Sequence, residues 1–435
     1  MIEKLKLFYQ NEKFPFIVII ALGLIAWLNP STFLWRDDWL YLSFYYEGNY
    51  DLFNGHLASE IKPLFQYVLF AEFYVAGLHF AFYQIVNVAL LILSAFCFFS
   101  IAMSFNINRN VALFCSLLLL LHPVNFVNAF WIFQQCELFH IFFLLSSILY
   151  FKKYLDDSKT INLILFGFFL LIQNYFFPNG IFFPILFLFA YFLMKPKGVA
   201  DKKFIFVVIL IFALHLSHAL YVQTKMVSGE GILLNIFDKL NYFVKLLATS
   251  LYRIAIPNFS PRASIVFNFL PLVALIILMI VTFKGIDDGP KRNAILLGAL
   301  GLIFSSIVLV LTRYNQSEIH YYYSTLHFPF YFLIIAVLID HYVVFKKSYL
   351  MIGAVLILMG FLLLDFRGKN IFAFRNESNK QQMELGLPYN QYVPFDDPCF
   401  LIDGYFGVND YSESESAIIL YRSLLPGNKI KGNKD

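Results

Sequence analysis

The sequence predicts an all-α polytopic membrane protein, a bundle of roughly 11 transmembrane helices with interfacial helices in its outer loops. Three observations carry that expectation. The 435-residue chain is 60% hydrophobic and 14% charged, against roughly 25% charged residues in an average soluble chain. Its apolar residues fall into successive runs, each close to the about 20 residues a helix needs to cross hydrocarbon. Lys and Arg concentrate in alternate connections between those runs, as the positive-inside rule requires.

The first element starts behind Lys4, Lys6 and Lys13 and runs through "FPFIVIIALGLIAWL". No small-residue cleavage site follows, so it reads as a retained span over 14–32 and not as a removed signal peptide. Further spans are expected at 83–105, 110–124, 135–152, 160–176, 179–195, 203–223, 264–284, 293–312, 320–341 and 348–365. One set of connections holds Arg109, Lys152, Lys153, Lys159, Lys195, Lys197, Lys202, Lys203, Lys284, Lys291, Arg292, Lys346 and Lys347. The short loops at 122–134 and 174–179 hold neither Lys nor Arg. This asymmetry puts the N-terminus in the cytoplasm and the C-terminal tail outside. The chain then divides into a transmembrane domain over 1–365 and a small outer tail over 366–435.

Two outer loops are long. In 33–82 an acidic pair precedes "KPLFQYVLFAEFYVAGLHFAFY". A span there would break the downstream alternation of lysines, so an amphipathic interfacial helix is expected instead. The loop 224–263 contains "LLNIFDKLNYFVKLLATSLYRIAIP", apolar at helical spacing, with Asp238, Lys239, Lys245 and Arg253 between. It also suits the membrane surface. Cys97, Cys115, Cys136 and Cys399 show no metal spacing and read as apolar filler. His215 and His218, one turn apart within a span, read as interhelical hydrogen-bond partners. The Phe-rich stripes, drawn from 54 Phe, read as lipid-facing or core.

The candidate site is outside. Asp37 and Asp38 stand in "WRDDW", just beyond the first span. Adjacent residues on a helix point about 100° apart, so the two need not share one task. One carboxylate suits a general base toward a hydroxyl; the bland alternative is a helix N-cap. Glu137 opens a span at its outer end, where a carboxylate near hydrocarbon is costly. Arg36, Lys62, Arg253, Arg262 and Arg313 are basic residues that run against the charge bias, most of them at a predicted boundary where a lipid phosphate sits. His56, His122 and His320 are also outside, without HxxxH or HExxH spacing, so no metal site is expected. There is no Walker, Rossmann or GxSxG motif. Nothing predicts a soluble nucleotide or a nucleic-acid partner.

In order and side of the membrane, these stretches resemble the GT-C superfamily of membrane glycosyltransferases, in its protein O-mannosyltransferase-like and aminoarabinose-transferase-like branches. The resemblance covers about residues 10–340. It rests on the acidic pair Asp37-Asp38, on "KPLFQYVLFAEFYVAGLHFAFYQIVNVALLI", on "LLHPVNFVNAFWIFQQCELFHIFFLL" with Glu137, on "YFVKLLATSLYRIAIP", and on "TRYNQSEIHYYYSTLHFPF". The chain departs from it at "QNYFFPNG", where Gln173 and Asn174 replace the Lys-Glu of many relatives, and in lacking tetratricopeptide repeats in the tail. The resemblance implies a GT-C-type bundle in contact with membrane lipids and a polyprenyl-phosphate sugar donor. It implies a glycan or lipid-linked acceptor, and inverting transfer at the periplasmic face of a bacterial inner membrane. The catalytic set would be Asp37, Asp38 and Glu137, with one aspartate as base and Glu137 orienting the acceptor or a basic partner. Arg36, His56, Lys62, Arg253, Arg313, Tyr314 and His320 would bind substrate. No cofactor is implied, and the need for a divalent metal stays open. A lipopolysaccharide or O-antigen setting follows only from compositional character. Two rivals stay in play. One is an O-antigen polymerase, through Arg253 and Arg262. The other is a transporter or flippase, which the scarcity of charges within spans and the lack of repeats disfavour.

Overall fold

The computed structural model describes residues 11–28, 42, 62–77, 79–177, 180–195, 201–225, 236–255, 265–313, 325–342 and 352–366. All regular structure among the described residues is helical. The helices are α1 Phe14–Trp27, α2 Pro63–Ala76, α3 Phe80–Ser104, α4 Arg109–Leu121, α5 Asn125–Phe130, α6 Gln135–Asp157 and α7 Thr160–Phe176. They continue with α8 Phe183–Met194, α9 Lys202–Lys225, α10 Ile236–Ala255, α11 Ile265–Gly285, α12 Gly289–Arg313 and α13 Phe328–Tyr342. The last is α14, Ile352–Phe366. Each expected span overlaps one of these helices. Three stretches, Ala81–Ser104, Ile132–Asp157 and Lys202–Tyr221, are long and apolar enough to cross a membrane. Most of the other helices are apolar but shorter, so among the described residues length and hydropathy do not confirm the expected tally of spans.

The centre of the bundle is α6, packed along α3 and α7. Its buried face includes Leu138, Leu144, Leu145, Ile148 and Phe151, and the Phe151 ring meets Phe166, Phe187 and Phe204 from three other helices. In the second half α12 packs against α13. Two glycines allow that approach. A Cβ on Gly301 would overlap the buried Phe330 ring, and one on Gly298 would lie 2.6 Å from Ile334. Small residues at such crossings let helix backbones close up.

Polar contacts gather toward the helix ends. In the lysine-rich connections, Lys291 pairs with Asp340 at 2.8 Å, and Asp340 accepts from the Asn108 amide at 3.2 Å. Arg109 donates to the carbonyl of Asn11. Lys152 pairs with Asp156 at 2.5 Å and lies over the Phe105 ring, while Asp201 accepts from Tyr154. At the opposite termini of α1, α3 and α4, side-chain donors tie helices together. The Trp27 indole donates to Leu120 O at 2.8 Å, Gln84 to Trp27 O at 2.9 Å, and Asn125 to Leu119 O at 2.6 Å.

The helices of the two long loops differ from each other. In α10 the buried Tyr242, Leu246, Thr249 and Arg253 recur at helical spacing, opposite exposed Leu240. This is the amphipathic pattern expected of it. Helix α2 lacks the clean amphipathic division expected of it. Pro63 sits in its first turn, and Gly77, at φ +54°, ends it. Its 14 residues reach about 21 Å, too short for hydrocarbon of about 30 Å. Its buried face mixes Phe65 and Leu69 with the polar Gln66 and Glu72, whereas Tyr74 and Val75 are outside. Apolar residues therefore stand on both faces of the helix, and the polar Gln66 and Glu72 are on the buried one.

His215 Nε2 donates to Leu171 O at 3.2 Å, an interhelical bond of the kind expected. Cys136 is more than filler, because its Sγ lies 3.2 Å from the Lys62 ammonium and donates to Phe133 O.

Candidate functional site

Lys62 stands immediately before α2 and is 8% exposed. Its ammonium donates to the Cys136 sulfur and lies 4.1 Å from the Phe133 ring centroid and 4.8 Å from that of Phe177. Among the described residues it forms no ion pair. A thiol and two ring faces only partly replace water around a cation. An anion is the natural complement of such a group, and Lys acts on phosphate as a point charge.

One residue on from Cys136 is Glu137, in the first turn of α6 and 6% exposed. A carboxylate is favoured there by the helix dipole. The Thr325 hydroxyl donates to its Oε2 at 3.4 Å. The Gln134 amide nitrogen, in the orientation that satisfies both groups, lies 3.2 Å from each carboxylate oxygen. Thr325 and Gln134 thus serve Glu137 among the described residues, and the Lys62 cation stands against the residue beside it.

A narrow cavity opens between Glu137, His140 and Thr325, with Ile141, Phe177 and Leu309 as apolar walls. Its free volume, ≈ 10 Å³, suits a single water molecule. His140 follows Glu137 by one turn, and its Nδ1 lies 3.1 Å from Gln173 O. A carbonyl only accepts, so Nδ1 carries the proton and Nε2 presents a lone pair. That Nε2 is buried without a partner among the described residues. So are both amide atoms of Gln173 and the Oδ1 of Asn174. The three side chains are at most 1% exposed. They converge beside Gly180, where a Cβ would meet Gln173 Nε2 and His140 Cε1 at 3.2 Å and Asn174 Oδ1 at 3.3 Å. A buried polar atom left without any partner costs about 1–3 kcal/mol, so this cluster calls for a polar complement.

A second polar layer adjoins the first. Gln135 donates to Tyr83 O at 3.3 Å, and Glu72 of α2 is buried close to it. Burial pushes the Glu72 carboxyl up to about 7, and a hydrogen bond with Gln135 opposes the shift. Elsewhere His327 bridges helices, with Ser250 Oγ of α10 at 3.2 Å from Nδ1 and Ser306 Oγ of α12 at 2.9 Å from Nε2.

Of the residues expected to form the site, Lys62 and Glu137 are brought to one place. Arg253 is buried near the end of α10, where the carbonyl of its neighbour Ile254 lies 3.4 Å from His122 Nε2. Arg313 ends α12. Arg36, Asp37, Asp38, His56, Arg262, Tyr314 and His320 lie outside the described residues. Sequence reasoning missed Cys136, His140, Thr325 and Glu72. A signal existed for His140, one turn from Glu137 on the same helix face. Thr325 offered none, because its contact spans 188 residues. No protein-family model matches the chain, and no curated protein matches it either.

Proposed function

We propose that this chain is a GT-C-type membrane glycosyltransferase, moving a sugar from a polyprenyl-phosphate donor to a glycan or lipid-linked acceptor. The reading puts the reaction at the outer, periplasmic face of a bacterial inner membrane, with the N-terminus cytoplasmic. One observation carries it. Lys62 is a buried ammonium without a carboxylate partner among the described residues, against the neighbour of Glu137 and over the Phe177 ring that walls the cavity. A polyprenyl phosphate would complete the charge of Lys62 and bring an apolar tail suited to the surrounding Phe rings.

In this reading the acceptor hydroxyl attacks the anomeric carbon as the bond from that carbon to the phosphate oxygen breaks. The electron pair leaves on the phosphate, and the hydroxyl proton passes to Asp37 or Asp38. Lys62 neutralises the leaving phosphate, where fixed positive charge lowers the barrier most. Arg36, Arg253 and Arg313 add to that field. Glu137 orients the acceptor, with His56, Tyr314 and His320 as further contacts.

The test is transfer of label from radiolabelled polyprenyl-phosphate sugars in membranes holding wild type, Asp37→Asn, Asp38→Asn, Glu137→Gln or Lys62→Met at matched expression. Transfer by wild type, abolished in one aspartate variant and reduced in Lys62→Met, supports the reading and identifies the base. Undiminished transfer in all four variants sinks it. Elongation of an already lipid-linked glycan without any monosaccharide transfer would favour the polymerase.

A further inference from the structure

The cluster of His140, Gln173, Asn174 and Glu137 has a use that the phosphate does not account for. We propose that it is the sugar-recognition subsite, taking the hydroxyls of an uncharged hexose; this rests on the transferase reading for the route by which the sugar arrives. The cavity wall presents acceptors. His140 Nε2 is a lone pair, because Nδ1 donates to Gln173 O at 3.1 Å, and Glu137 is a carboxylate. A group entering against His140 Nε2 must bring hydrogen to donate. Beside His140, around Gly180 and off the cavity wall itself, Gln173 holds one acceptor and one donor and Asn174 a further acceptor, all unpaired among the described residues. Side-by-side donors and acceptors on neutral amides match vicinal hydroxyls, each of which gives and takes a hydrogen bond. Phe177 supplies the apolar wall that the carbon face of a sugar ring needs.

Size and cost agree with this use. The free space, ≈ 10 Å³, admits a single oxygen, so one hydroxyl seats there while the ring stays at the mouth. Gly180 keeps the three side chains together, since any Cβ would crowd all of them at 3.2 to 3.3 Å. Buried polar atoms that lack a protein partner discriminate strongly for a ligand that pairs them.

The experiment uses the full chain in lipid nanodiscs. Native mass spectrometry measures binding of undecaprenyl phosphate, of undecaprenyl-phosphate glucose and mannose, and of methyl glycosides of glucose, mannose and galactose. Thermal unfolding is followed on the same samples. Wild type is expected to bind a sugar-bearing lipid about tenfold tighter than the bare lipid phosphate. Gln173→Met and His140→Phe should each erase that increment and leave bare-lipid affinity within about twofold. Gln173→Met should also unfold at a higher temperature than wild type, because Met removes two unpaired atoms at similar volume. An increment seen with lipid-linked sugar assigns the subsite to the donor; one seen only with methyl glycosides assigns it to the acceptor. Glycoside binding that depends on these residues, with no binding of bare lipid phosphate, keeps the subsite and overturns the transferase reading. Equal binding of sugar-bearing and bare lipid with no glycoside dependence overturns the subsite. So does a Gln173→Met protein that unfolds earlier than wild type, which marks the amide as structural.

Discussion

Lys62→Met separates a binding cation from a structural one. Met keeps the apolar stem and deletes the ammonium. Among the described residues the loss is one hydrogen bond to a thiol, at 3.2 Å, and two ring contacts, at 4.1 and 4.8 Å. Desolvated cation–π contacts contribute about 0.5–2 kcal/mol each. Against this stands the penalty for burying a charge, several kcal/mol in real proteins. The two nearly cancel, so the variant should match wild type in stability to within about 1 kcal/mol. Binding of a lipid phosphate does not cancel. A charge-assisted hydrogen bond contributes about 1.5–3 kcal/mol. At about 1.4 kcal/mol per decade, undecaprenyl phosphate should bind roughly 10- to 150-fold more weakly. Titration of the lipid into nanodisc-embedded protein reads the affinity, and thermal unfolding of the same samples reads the stability. Unchanged affinity refutes the reasoning. A variant that unfolds many degrees earlier does so as well, since it makes the ammonium a fold element.

Two further outcomes follow from the charges and the packing. Between pH 4.5 and about 7 the folded protein holds a proton on Glu72 that the unfolded chain has released. Stability should therefore fall as pH rises through that window, by on the order of 3 kcal/mol in total, and Glu72→Gln should flatten the dependence; unfolding temperatures at pH 5 and pH 8 decide it. Gly301→Ala drives a Cβ into the Phe330 ring, which is buried and has little room to swing. It should cost about 1–3 kcal/mol, read as a lowered unfolding temperature, and a neutral result would mean that α12 and α13 part at this crossing without penalty.

The helical runs are legible in the sequence because composition and periodicity are local properties. Every expected span overlaps a helix, and the 3.6-residue repeat of α10 marks its buried stripe. Glu137 and Lys62 stand out for the same local reason: a charge next to an apolar run is costly and is kept for a purpose. Which residues meet is a different kind of fact. Lys62 and Cys136 touch across 74 residues, and Thr325 and Glu137 across 188. Periodicity names the face of a helix that is buried but not the neighbour that buries it. For that reason the sequence predicts an amphipathic α2, whereas its hidden face carries Gln66 and Glu72 and its outer face Tyr74 and Val75. The same limit hides the subsite. In the sequence Gln173 and Asn174 are a departure within a motif, and His140 is one more residue of a span. Only packing α6 against α7 around Gly180 leaves their polar atoms together, buried and unpaired. Burial without a partner is a property of the assembled bundle rather than of any stretch of chain.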